Sequence, residues 1–228
     1  SGGLTIKSGT LRINDNAGTT PQYLTVLKDI TVNSGASFTV GQGNTLNGPV
    51  DETASGSLQY YLAFNTVYCY GDFTNNGTVS FTNQTWPVYN AFTTTGGISL
   101  FFMGSTDNTF TCNGTTNLYY MVVDKGSSKS YKVTLYSTAV GNFRLYGRNN
   151  YAMGSTSGSF STENPELRKA LWIRNGTLEL TGYLLIPSLT EGNSDYYIPS
   201  KGALWVNGAN VSVYATERTD PGTRVGAV

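Results

Sequence analysis

Chemistry begins with what the side chains could do, and here the first fact is that the chain contains no histidine. That removes the commonest general base and the commonest metal ligand, and with them any Ser-His-Asp or Cys-His arrangement. A glycosidase needs only two carboxylates, but the 14 acidic residues are scattered. Asp51 and Glu52 share one stretch, Glu163 and Glu166 another, Glu191 and Asp195 a third, and all read as solvated loop acids. Asn14-Asp15-Asn16 and Thr106-Asp107-Asn108 offer oxygen ligands without the spacing of a calcium loop, so turn and cap roles are expected. No catalytic residue, cofactor or metal is therefore expected, and the chain reads as non-enzymatic.

Cys69 and Cys112 lie in alternating strands beside the inward candidates Val67 and Phe110. They read as free buried thiols, although an oxidising compartment would permit a disulfide. Trp172 and Trp205 each stand between apolar neighbours, Leu171 and Ile173 in one case and Leu204 and Val206 in the other. Alternation then turns both indoles outward from equivalent places, on one lateral face, as a row that could stack sugar rings. The competing expectation is that the stretch from Thr190 to Gly202, which carries Tyr196 and Tyr197, covers them as packing residues.

The elements that would position these side chains are legible as a repeated phrase: two apolar residues at i and i+2, a glycine-bearing bend, and two more at i and i+2. It reads Leu4-Thr5-Ile6-Lys7-Ser8-Gly9-Thr10-Leu11-Arg12-Ile13 and returns at Ile30–Val40, Leu171–Leu180 and Leu204–Val213. Each phrase predicts two short strands meeting at a corner with one apolar face. A single copy cannot bury that face, whereas stacked copies can. Anchors at Leu4, Ile30, Val67, Ile98, Val133, Leu171 and Leu204 are separated by 26, 37, 31, 35, 38 and 33 residues. Uneven spacing fits a parallel β-helix whose strands hold register while loops vary, and argues against propellers and leucine-rich repeats.

The loops are expected at Asn14–Pro21, Gly41–Ser57, Asn83–Gly97, Arg148–Asn164 and Thr190–Gly202, all dense in Gly, Ser, Thr and Asn. One helical turn is expected over Asn164–Lys169, with Pro165 at its first position. In the middle, Val67, Cys69, Phe73, Val79 and Phe81 should face inward with Asn76-Gly77 as the bend. The rival architecture is a β-sandwich of hairpins. The fold class is thus all-β, a right-handed parallel β-helix with irregular loop insertions, and residues 1–228 read as one segment of a longer chain.

Composition agrees: 14 basic residues balance the acids, 27 glycines and 16 tyrosines accompany only 12% charged residues, and no basic stripe suggests nucleic acid. No run reaches the roughly 20 apolar residues of a membrane helix.

The phrases at Leu4–Val40 and Gly71-Asp72-Phe73-Thr74-Asn75-Asn76-Gly77-Thr78-Val79-Ser80-Phe81 resemble the β-helix repeats of very large secreted surface proteins, above all those exported by the Bacteroidetes type IX secretion system. Asn117–Gly126 followed by Val133-Thr134-Leu135 is similar to another phrase of that group. The resemblance implies an extracellular or cell-surface location and a structural or adhesive role. Its implied partners are the remainder of the same polypeptide, surface glycans or an export machinery. The sorting domain and the catalytic modules of that group are not matched. Two alternatives stand beside it: a carbohydrate-binding or carbohydrate-cleaving β-helix, and a phage tailspike or fibre.

Overall fold

Alternating apolar residues make strands, and the computed structural model, which describes residues 2–15, 22–41, 65–82, 97–145, 171–187 and 198–214, contains seventeen of them. In chain order they are β1 (Leu4–Ile6), β2 (Gly9–Ile13), β3 (Tyr23–Val26), β4 (Ile30–Val32), β5 (Ala36–Val40), β6 (Asn65–Cys69), β7 (Phe73–Asn75), β8 (Thr78–Ser80) and β9 (Ile98–Gly104). There follow β10 (Asn108–Cys112), β11 (Thr115–Leu118), β12 (Tyr120–Lys125), β13 (Lys132–Ser137), β14 (Phe143–Leu145), β15 (Leu171–Pro187), β16 (Gly202–Val206) and β17 (Asn210–Tyr214). The expected helical turn at Asn164–Lys169 lies outside the described residues. So do Asp51, Glu52, Glu163, Glu166, Glu191, Asp195, Tyr196 and Tyr197.

Every pairing between these strands is parallel, which the hairpins of a sandwich would not give. Three sheets result. The first stacks β1, β4, β7, β10, β13, the middle of β15 and β16. The second stacks β2, β5, β8, β11, β14, the end of β15 and β17. The third stacks β3, β6, β9, β12 and the start of β15. The chain visits them in the order third, first, second, and so winds a parallel β-helix of seven coils, the first and last described on two sheets only. In coil six, β15 runs around all three faces as one strand, turning at Gly176 and Gly182, whose φ values of 89° and 75° suit glycine.

Inward residues stack in rows from coil to coil. On the first sheet Ile30, Phe73, Phe110, Leu135 and Leu180 are in register; on the third, Cys69, Phe102, Val123 and Ile173. All belong to one buried apolar cluster with Phe38, Val79 and Leu178. Ile13 and Val40 are buried there too, while Leu11 and Val211, nearer the ends, are only partly covered; the side chain of Val213 lies outside the described set. Phe110 sits at the centre, its ring centroid 5.0 Å from Phe73, 5.3 Å from Phe102 and 6.1 Å from Phe143, within the range of favourable aromatic pairs.

Polar ladders close two of the corners. Entering the first sheet, the carboxylate of Asp29 accepts the backbone N–H of Asp72 at 2.9 Å, that of Asp72 accepts Thr109 N–H at 2.9 Å, and that of Asp107 accepts Lys132 N–H at 2.9 Å. Each aspartate thus ties its coil to the next. Between the first and second sheets, Asn113 Nδ2 donates to Asn76 Oδ1 at 2.8 Å. There a Cβ on Gly114 would lie 2.0 Å from the Gly77 carbonyl oxygen, so the two coils approach too closely for any side chain. The third corner, from second to third sheet, is where length varies. Residues 14–22, 41–64, 81–97 and 146–170 join strands there, but Tyr119 alone joins β11 to β12.

Candidate functional site

The outward side of the first sheet carries a polar and aromatic cluster over coils five to seven. Inward Leu178 and Leu180 turn Glu179 outward between Thr134 of the preceding coil and Trp205 of the following one. Glu179 Oε2 accepts from Lys132 Nζ at 2.8 Å and from Thr134 Oγ1 at 2.8 Å, and Oε1 accepts from Asn207 Nδ2 at 2.7 Å. The bond from Lys132, then that from Asn207, hold the carboxyl below its ordinary range. A carboxylate so engaged is a poor proton donor. Lys132 Nζ also stands 5.7 Å from the centroid of the Trp205 ring, a cation–π distance. Trp205 is 49% exposed and Tyr136, on the same face, 44%.

This arrangement has an acid limit that optical measurement can see. The Glu179 carboxyl, ordinarily near 4.5, titrates lower in the folded chain, so its stabilising bonds are present above the ordinary value and are lost as pH falls through the depressed one. The fluorescence difference between wild type and Trp205→Phe is expected to stay constant down to that ordinary value and to change only below it. Constancy through full acid titration of the folded protein would show that Glu179 does not hold the Lys132–Trp205 contact.

Trp172 corrects the expectation of a paired tryptophan row. Leu171-Trp172-Ile173 pairs with Met121-Val122-Val123 on the third sheet, whereas Leu204-Trp205-Val206 pairs with Leu178-Glu179-Leu180 on the first. The coil equivalent of Trp205 is Glu179, and the two indoles lie on different faces. The reason is that β15 spells two consecutive faces in one unbroken phrase. Trp172 does point away from the main core, but it is buried in a second apolar cluster with Phe101, Tyr119, Tyr120 and Val122. Arg174 stacks on its ring at 4.7 Å and is paired to Asp124 at 2.8 Å. It is a packing residue; of these two indoles, Trp205 is the one with an open ring.

Of the other polar motifs, Asp15 bonds locally, Asn14 and Asp107 reach across to other coils, Asn108 opens β10, and Asn16 lies outside the described residues. Asn14 takes a left-handed φ of 61° and donates to Asn65 Oδ1 at 3.0 Å, Asp15 meets Arg12 at 3.4 Å, and Asp107 caps Lys132. Among the described residues no group of three Cys, Asp or Glu converges as a metal site.

Cys69 and Cys112 are free and buried, on the third and first sheets. Cys69 Sγ donates to the Gly71 carbonyl at 3.3 Å. Burial pushes both thiols up to about 12, far from the thiolate form that reacts. Native protein is expected to leave both unmodified by a thiol reagent at neutral pH, and denatured protein to titrate two; rapid native labelling of either would contradict the core placement.

Sequence reasoning passed over Lys125. Its signal was present: after Met121 and Val123 the inward period of two falls next on a lysine, and that side chain is fully buried.

No protein-family model, curated protein or solved structure matches this chain.

Proposed function

We propose that this chain is a structural or adhesive β-helical segment of a large exported surface protein, one that projects or presents other parts of the polypeptide and catalyses nothing itself. The observation that carries the reading is the unbroken parallel ladder through all seven coils, built on stacked apolar rows and tied coil to coil by aspartate and asparagine side chains. Such a body is stiff along its axis because every coil is bonded to both neighbours.

A second reading rests on the Trp205 face. An exposed indole on the same face as Tyr136, rimmed by Lys132, Glu179 and Asn207, has the flat apolar centre and polar edge that bind sugar rings. A glycan held there would make the segment adhesive as well as structural.

Both readings are tested with antibodies to the purified segment and a panel of surface polysaccharides. The stalk reading expects labelling of intact source cells and no polysaccharide turnover; label confined to permeabilised cells, or turnover abolished by replacing one acidic residue, would overturn it. The adhesive reading expects glycan binding that quenches Trp205 and falls at least tenfold in Trp205→Ala. Binding unchanged in that variant would remove Trp205 from the site.

A further inference from the structure

Lys125 occupies a corner position that its neighbours leave bare. It pairs with Gly104 in the preceding coil, and on the other side a Cβ at Gly176 would fall 2.6 Å from the Lys125 Cβ. The two glycines make the space that a lysine stem fills. Its amine, wholly out of solvent, donates to the Met103 carbonyl at 2.5 Å and to Oδ1 of Asn108. Asn108 opens β10, one coil earlier, and is itself buried. Its Nδ2 faces Asp72 Oδ1 at 3.4 Å, and that carboxylate oxygen is held in place by the Thr109 N–H at 2.9 Å. Amine, carboxamide and carboxylate, from three successive coils, therefore meet at one corner.

The chemistry of that meeting is specific. Burial lowers the affinity of the Lys125 amine for its proton, against the opposing pull of Cys69, Asp107 and Asp72. An uncharged amine is a nucleophile, a carboxamide carbon is an electrophile, and a fixed carboxylate can carry a proton from one nitrogen to the other. Holding the three together replaces a slow bimolecular reaction by a unimolecular one.

We propose that Lys125 and Asn108 join in an intramolecular amide. The lysine nitrogen attacks Cγ of Asn108, and the new Nζ–Cγ bond forms as the Cγ–Nδ2 bond breaks. Asp72 takes the proton released by the attacking nitrogen and delivers it to Nδ2, which leaves as ammonia. Atoms balance with no oxidant, reductant or cofactor. The product is a neutral amide that can no longer take up a proton, so the corner never has to hold a buried ammonium charge. It also links coil four covalently to coil five, so that pulling along the axis would load a covalent bond as well as the hydrogen-bonded ladder. This inference does not depend on the surface location proposed above.

The test is a mass measurement on the intact, unmodified protein followed by peptide mapping. The denatured chain is expected to be lighter than its sequence by one ammonia, trypsin is expected to skip Lys125, and a branched peptide carrying both Lys125 and Asn108 is expected. Branching separates this amide from succinimides at Asn-Gly steps, which lose ammonia without joining peptides. In Asn108→Ala and Lys125→Met the branched peptide should vanish, and in Asp72→Ala, altered at a partly exposed position, linear peptides should persist. Unbranched peptides from wild-type protein after prolonged incubation in the folded state would overturn the proposal, and that readout needs no variant to fold. Linkage in Asp72→Ala at the wild-type rate would overturn the role given to that carboxylate.

Discussion

Replacing Phe110 by Ala is expected to destabilise the protein by about 3 to 5 kcal/mol, the cost of a large cavity in a closed core. Phe110 is fully buried and lies between Phe73 and Leu135 of the adjoining coils on its own sheet. It also meets Phe102 and Phe143 from the two other sheets. Because the residue bridges all three faces, a collapse that fills the space would have to move strands that are pinned by ladders above and below. Against a typical total of roughly 5 to 15 kcal/mol, the loss removes a large share of the folding free energy. Urea titration of wild type and variant checks it. A difference under about 1 kcal/mol, the range of surface changes, would mean that the phenylalanines do not form the core of the helix.

The second large effect is expected at a residue with no side chain. Gly182 turns β15 from the first sheet to the second with a φ of 75°, and a Cβ there would sit 2.0 Å from the carbonyl oxygen of Ser137 in the coil before. Gly182→Ala therefore combines a left-handed backbone, which costs an alanine about 1 to 2 kcal/mol, with a clash against backbone that cannot rotate away, of about 1 to 3 kcal/mol. The control is Gly35→Ala, at a similar φ of 77° but with nothing within 4 Å of the added carbon. That change is expected to cost only the conformational part, about 1 to 2 kcal/mol. Equal losses in the two variants would contradict the tight stacking of coils five and six at this corner.

Much of this architecture is legible in the residues alone. Val67, Cys69, Phe73, Val79 and Phe81 alternate around Asn76-Gly77, and the structure buries all five with the bend between β7 and β8. The seven anchors count the seven coils correctly. Period two, however, says only which side of a strand a residue occupies; it does not say which of three sheets the strand joins. Leu4 and Ile30 do pair, but Leu171 belongs to the third sheet and Leu204 to the first. Phase is set by the connections at the variable corner, which range from Tyr119 alone to residues 146–170.

The site suffers from the same blindness. Trp172 is outward in its own strand, yet Tyr68, Phe101, Val122 and Trp172 become one apolar ladder once register is known. An outward residue in such a ladder packs with its neighbours; Tyr68 and Phe101 already meet at 5.2 Å. Trp205 stays open because its ladder neighbour is the charged Glu179, half of a polar network. Lys125 needed the opposite attention, since a basic residue on an inward beat is a departure from pattern, and such departures concentrate where a fold does something besides pack.

The stacked, rigid coil is tested most directly by a distance across it. Thr5, Thr31, Thr74, Thr111 and Tyr136 are in consecutive register on the first sheet, so Thr5 and Tyr136 are four strand spacings apart, about 19 Å at 4.8 Å each. Spin labels at Thr5→Cys and Tyr136→Cys, with the two native thiols protected by burial, allow that separation to be read by pulsed electron resonance. A single narrow distribution near 19 Å, widened only by the label tethers, is the expected result; a broad distribution, or a mean far beyond that value, would contradict a rigid parallel β-helix.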